Sequence, residues 1–531
     1  MNPTGVIIKL YVLALLAISV FCARDVAAEV AGWIQPARAL REKLQKDPHR
    51  PGYHIVAPEG LCGPFDPNGA LFWKGRYHLM YIIQTQKGHC WAHISSRDLV
   101  HWRHHPLCLE PGEGDRGIFS GGAFLDRNGT ATITYWGLGD DRGICIATST
   151  DDGLDRWTKS PHNPVIRQTG FGYAARGGQV YGVADPSAIW IHQGRYYMLT
   201  GNLLVLREYG LKRGQAQHKG DTTYLFVSDD LVRWKYLHPF YKSDRKWTRA
   251  DEDNMCPDFF PLPSSAQGGP PSDRHMLLFI SHNLGCQFYV GRYENHRFLP
   301  ETHGRMTWAD NALFAPESLV DGRGRRIMWA WIFDGRSGRT RAASGWSGTM
   351  SLPRVLWLAE DKTLRMAPPQ ELELLRYHPR KLESLTVPGG AEVPLADVKG
   401  TSLELAVEIV PDAAKQFGVK VCCSPGGEEQ TVVLCDAAEK KLRIDTRKSS
   451  LGEGPKSVEG GPFALKPGEP LRLRVFVDRS VVEVFANDRQ AVMRRIYPTR
   501  KDARGVVLFS RGGGVKVTSV QAWQMAAANP W

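Results

Sequence analysis

The chain has 531 residues and no Cys-x-x-Cys pair, and its cysteines and histidines show no zinc-ligand spacing. Ten cysteines are present. Beyond the N-terminal segment they stand apart, at Cys62, Cys90, Cys108, Cys145, Cys256, Cys286, Cys422, Cys423 and Cys435. That scatter spells no disulfide framework and reads as buried free thiols. No long run of Lys and Arg occurs, although the net charge is +12 and the pI about 9.2. Basic residues alternate with acids, which describes a solvated surface and not a nucleic-acid groove. After residue 21 no further long apolar run follows, so nothing beyond the N-terminus reads as a membrane-spanning helix.

The one long apolar run lies at the start. Lys9 precedes residues 10–21, and Val26-Ala27-Ala28 fits a small-x-small cleavage site. A signal peptide over 1–28 and a secreted or periplasmic chain are expected, with an uncleaved anchor as the alternative. Phe21 before Cys22 argues against lipoprotein processing, which needs a small residue there. Asn128-Gly129-Thr130 is a glycan acceptor if the host secretory pathway is eukaryotic.

Residues 29–50 read as a helical lead-in. From about 51 to 370, short apolar and aromatic strands alternate with Gly, Asp, Asn and Pro turns, which is all-β patterning. Two segments repeat. Phe72-Trp73-Lys74-Gly75-Arg76-Tyr77 returns as Trp190-Ile191-His192-Gln193-Gly194-Arg195-Tyr196. Ser96-Arg97-Asp98-Leu99-Val100-His101-Trp102 returns as Ser228-Asp229-Asp230-Leu231-Val232-Arg233-Trp234, and loosely as 149–157. Each copy joins a strand, a tight corner and a large Trp, as propeller blades require. Residues 264–272 read as a loop insertion and 368–375 as a short closing helix or linker. From about 380 to 531 the strands lengthen and alternate with period two, as in Leu471–Asp478 and 480–486, which reads as a β-sandwich.

Three acidic turns border strands: Phe65-Asp66-Pro67-Asn68-Gly69, Ala184-Asp185-Pro186, and Met255-Cys256-Pro257-Asp258 after Asp251-Glu252-Asp253. Each alone is turn chemistry with a solvated carboxylate. Together they suggest carboxylates converging on one pocket, the requirement of glycoside hydrolysis.

At these motifs the chain resembles glycoside hydrolase family thirty-two, the invertases, fructanases and related β-fructosidases. The resemblance is carried by Asp66-Pro67-Asn68-Gly69, residues 90–102, Phe119-Ser120-Gly121-Gly122, residues 325–331 and 345–354, and Val477-Asp478-Arg479-Ser480-Val481-Val482-Glu483. It covers nearly all of the expected mature chain. It implies a five-bladed β-propeller followed by a C-terminal β-sandwich, a retaining mechanism, a β-fructoside or related furanoside as substrate, and no cofactor or metal. Asp66 is then the nucleophile and Asp185 the transition-state stabiliser, with substrate contacts at Asn68, Trp91, Phe119, Ser120 and Asp258. Nucleophile and acid must stand roughly 5–5.5 Å apart, with the acid's pKa raised.

The chain also departs from the family pattern. Met255 holds the place of the family acid before Cys256, so Glu252 is the expected acid, with Asp253 and Asp258 as lesser substitutes. Ala184 replaces the Arg before Asp185, Phe65 the Asn before Asp66, and Ile82 a sugar-binding Gln. Losing such groups alters specificity, because substrate hydroxyls would be left unpaired. His101, His104 and His105 read as a surface turn. Trp73, Trp91 and Trp136 suit either a sugar platform or blade core. Glycosyl transfer on the same site and a catalytically impaired carbohydrate-binding propeller are the alternative functions. The expected partner is an oligo- or polysaccharide; the sequence is silent on oligomeric state.

Overall fold

The computed structural model describes residue 32 and residues 34–140, 142–211 and 217–529. The expected signal peptide, 1–28, lies outside the described residues. Among those residues no helix is long and apolar enough to cross a membrane. The lead-in forms a helix through residue 46, whose Leu44 is buried against Val56 and Trp346.

Five antiparallel sheets follow, and they are the blades of a β-propeller. The first holds Pro67–Trp73, Arg76–Thr85, Gly88–Ser96 and Trp102–His104 in that order. The second spans residues 117–167, the third 184–242, the fourth 255–305 and the fifth 313–367. The inner strands meet in a ring: that of each blade touches the next blade, and Leu313–Val320 of the fifth returns to Pro67–Trp73 of the first. Each blade stays a separate sheet, and radial repetition leaves only short edges. Separate apolar clusters fill the wedges, such as Leu79, Ile94, Trp329 and Val355 between the first and fifth blades.

The repeated segments are the blade corners. In the first hairpin turn Lys74 and Gly75 both take positive φ, and Gln193 and Gly194 repeat this in the third blade. Two successive positive φ values define the tight turn whose twist matches the flanking strands. At the other corner Asp98 Oδ1 accepts from the backbone N–H groups of Val100 and His101, and Asp230 Oδ1 does the same for Val232 and Arg233. These bonds hold Leu99 and Leu231 at φ 64°. Trp234 Nε1 then donates to the Leu231 carbonyl. The Asp-Leu-x-x-Trp recurrence is therefore a side-chain-capped turn, repeated in the first and third blades.

The 3-10 turn Gln370–Leu375, with Leu372 and Leu375 buried, leads into a β-sandwich of two six-stranded sheets. Their facing valines, leucines and isoleucines form one core. The first sandwich strand is Arg376–Val387, so the sandwich starts before residue 380. A bulge between Tyr377 and Arg380, with His378 at φ 48°, breaks the period-two pattern at that point in the sequence.

The two domains are joined through buried charge. Asp478 accepts from the N–H groups of Gly52, Tyr53 and His54 and from the His54 ring. Glu483 takes Arg354 Nη2 at 3.0 Å and the Leu352 N–H at 2.7 Å. The motif acids of the sandwich thus act as fasteners for the propeller.

Candidate active site

The inner-strand ends carry the site. Asp66 immediately precedes Pro67–Trp73, and Asp185 lies within Ala184–Pro186 at φ 37°. Cys256, at φ 48°, follows Met255 at the start of Met255–Pro263. Such backbone angles are uncommon outside glycine and are kept only where the surroundings impose them.

Both carboxylates are almost fully buried, and each has one oxygen held and one free. Ser120 Oγ donates to Asp66 Oδ2 at 2.8 Å, and Cys256 Sγ donates to Asp185 Oδ2 at 3.5 Å. Asp66 Oδ1 and Asp185 Oδ1 have no hydrogen-bond partner among the described residues. A buried acceptor without a donor is costly, and a polar ligand removes that cost. Burial pushes the Asp66 pKa up to about 6, against the Ser120 bond and the His282 charge. For Asp185 burial, then the Asp66 charge, push it up to about 7. The two carboxylates therefore share one electrostatic environment. Burial and the same two charges hold the Cys256 thiol protonated, which keeps it a donor.

A third group faces this pair. His282 follows Pro271–Ser281, the strand paired with Met255–Pro263. Burial lowers its pKa, but Asp253, Asp185 and Asp66 reverse that and leave it raised. Neither the His nor its partner Asp253 stood out as a pair in the sequence. They are separated by 28 residues, and only strand pairing brings them together.

Glu252 is elsewhere. It is fully buried, ion-paired to Arg305 Nη2 at 3.0 Å, and takes bonds from Gln287 Nε2 at 2.9 Å and the Arg249 N–H at 2.8 Å. Burial raises its pKa, but the Arg305 bond and the others leave it lowered. A proton donor needs the opposite shift and an opening to substrate, and Glu252 shows neither. Met255 is buried and carries no proton.

The expected substrate contacts divide. Ser120 bonds the Asp66 carboxylate directly. Asn68 fixes the turn: its Nδ2 donates to the Asp66 carbonyl at 2.7 Å and its Oδ1 accepts from the Gly121 N–H at 3.0 Å. Trp91 is fully buried and donates to the Phe119 carbonyl, so it belongs to blade core. Phe119 is half-buried and packs edge-on against His89 and Trp136. Asp258 is buried with Ser318 and Arg326, beside Glu317. Where the family pattern has polar groups, Phe65, Ile82 and Ala184 are all fully buried, Phe65 edge-on to Tyr81. Beyond Phe65, a cavity of about 560 Å³ is lined by Gly348, Trp331, Phe333 and Arg341.

His105 does not form a surface turn. Its side chain is 3% exposed and stacks on His93, which stacks on His78. His93, His105 and Asp155 place three possible ligand atoms within 4.8 Å of one another. His105 Nδ1 and Asp155 Oδ1 already satisfy each other at 2.5 Å, and burial lowers the pKa of both imidazoles. The nine described cysteines are free thiols, all buried except Cys256, which is half-buried.

A ring of five blades with paired, pKa-raised carboxylates at the inner-strand ends has the parts of a glycosidase. Residues 54–368 match the Glycosyl hydrolases family 32 N-terminal domain, and residues 371–524 match the Glycosyl hydrolases family 32 C terminal domain. The chain belongs to glycosyl hydrolase family 32 and is a glycosidase. It is 29% identical to a sucrose-6-phosphate hydrolase of Zymomonas mobilis, with 90% of this chain and 93% of the relative covered. It is 29% identical to a levanase of Bacillus subtilis, covering 91% of this chain and 71% of that one. In fold it is similar to fructan 1-exohydrolase IIa from Cichorium intybus, with a TM-score of 0.78, 23% identity, and 91% and 98% of the two chains covered.

Proposed function

We propose that the chain hydrolyses a β-fructofuranoside, sucrose or a fructan, or a related furanoside, with retention of configuration. Asp66 attacks the anomeric carbon and Asp185 faces the charge that develops on the ring. The observation that carries this reading is the pair of buried carboxylates, each with one oxygen held and the other free. The held oxygen fixes the orientation of the carboxylate, and the free oxygen is left for the sugar. The relatives named above, a sucrose-6-phosphate hydrolase and a levanase, support a fructoside. Phe65, Ile82 and Ala184 leave fewer groups to grip ring hydroxyls, so the substrate range differs from that of a pocket with Asn, Gln and Arg there. The N-terminal apolar segment supports action outside the cytoplasm, as a secreted or periplasmic enzyme.

The test is sugar release by the chain lacking residues 1–28 from sucrose, inulin, levan and a panel of arabinofuranosides, with Asp66→Asn alongside. Release that falls at least a thousandfold in the variant supports the reading, and the panel names the sugar. Glycan binding by both proteins without release from any substrate overturns it in favour of a binding propeller.

A further inference from the structure

The reaction proposed above needs a proton donor at the glycosidic oxygen, and the family position for it is occupied by Met255. We propose that His282, oriented by Asp253, donates and then recovers that proton. The assignment rests on the reaction proposed above.

The geometry begins with strand pairing. Met255 lies opposite Ile280, so the segments that leave the pair at that end, residues 253–254 and Ser281-His282, emerge side by side. Cys256, which touches Asp185, is at the same end. One carboxylate fixes the His. Asp253 Oδ1 accepts from Ser281 Oγ at 3.2 Å and from the His282 N–H at 2.8 Å, while Asp253 Oδ2 meets His282 Nδ1 at 2.6 Å. Asp253 is fully buried, and Asn311 Nδ2 grips the His282 carbonyl at 2.7 Å. The ring rests edge-on against Phe314 at 5.5 Å. With Nδ1 bonded to a carboxylate, that nitrogen carries its proton and Nε2 is the exchangeable site. Nε2 makes no hydrogen bond among the described residues, and the side chain is 36% exposed. A positioned imidazole with one nitrogen anchored and the other open is the arrangement of a general acid–base.

The groups facing the ring are Asp253, Asp185 and Asp66, with apolar Phe314 on its flank. Their charge favours imidazolium, against the effect of burial. In the first step the Asp66 oxygen forms a bond to the anomeric carbon. The glycosidic C–O pair leaves with the departing oxygen, which takes the Nε2 proton. Asp66, now an ester, has lost its charge, and the remaining field on His282 is weaker. Its imidazole is then suited to the second step: it takes a proton from water as the water oxygen attacks the anomeric carbon and the ester pair returns to Asp66. The loss of charge on Asp66 thus favours the acid-to-base change in His282.

The experiment has two readouts on the full mature chain. Imidazole NMR titration of His282 is compared between the unaltered chain and Asp66→Asn; the expected result is a lower His282 pKa in the variant. An unchanged value overturns the proposal whatever the activity. Second, His282→Gln is assayed on a fructan and on a fructosyl fluoride, whose leaving group needs little protonation. Expected are a loss of about 10²–10⁴-fold on the fructan, a much smaller loss on the fluoride, and no alkaline limb in the pH profile. Asp253→Asn should move that limb to lower pH while retaining partial turnover. Equal losses on both substrates, or retained fructan turnover with an unmoved alkaline limb, overturn His282 as donor. Absence of release by the unaltered chain overturns the reaction itself, so the two failures are distinct.

Discussion

Ser120 Oγ donates to Asp66 Oδ2 at 2.8 Å, which leaves Oδ1 as the free oxygen of that carboxylate. The bond favours the ionised carboxylate and opposes the effect of burial. Ser120→Ala should raise the Asp66 pKa above its present value of about 6. A hydrogen bond to a charged group is worth about 1.5–3 kcal/mol, so the acid limb of kcat/KM should move up by about one pH unit or more. A pH–rate profile checks this; an unmoved limb refutes it.

Asp66→Asn should stabilise the fold at neutral pH. A carboxylate whose folded pKa is raised from 3.8 to about 6 binds protons more tightly when folded, so it costs stability as pH rises between those values. Removing the charge removes that cost. A Tm higher by roughly 2–4 °C at pH 7.5, with the gain absent at pH 3.5, is expected by calorimetry. The opposite pH trend would refute it.

Glu252→Gln should behave as a structural change. Glu252 anchors Arg305, Gln287 and the Arg249 N–H inside the fourth blade. The variant should melt several degrees lower because Arg305 loses its partner, while turnover stays within about tenfold of the original. A loss of 10²-fold or more in kcat with unchanged Tm would restore Glu252 as the acid.

Glu483→Ala should loosen the seam between propeller and sandwich. It strands Arg354, which is fully buried, and such a broken pair costs about 3–5 kcal/mol. Burial raises the pKa values of Asp478 and Glu483, but the bonds and charges from His54 and Arg354 leave both lowered. Their contribution is therefore present above the ordinary carboxylate values of 3.8 and 4.5 and is lost as pH falls below them. Denaturant unfolding at pH 7 and pH 3.5 should show the variant's deficit shrinking at the lower pH.

Much of the fold was legible because it is local. The Asp-Leu-x-x-Trp corners, the Lys74-Gly75 turn and the alternation within Leu471–Asp478 depend on neighbours in sequence, and the structure realises each of them. The Asp66 turn was legible for the same reason, since Asn68 bonds two residues back to the Asp66 carbonyl.

The sequence by itself determined the blades, the sandwich and the family. What each side chain faces was decided only by tertiary structure. Glu252 stands three residues from Met255 along the chain, yet it closes a turn on the Arg249 carbonyl and pairs with Arg305. His282 lies 97 residues beyond Asp185, yet pairing of Met255–Pro263 with Pro271–Ser281 brings it to the carboxylates. The physical reason is that a pKa and a free lone pair depend on burial and nearby charge. In a closed ring of blades those neighbours come from five separate stretches of chain.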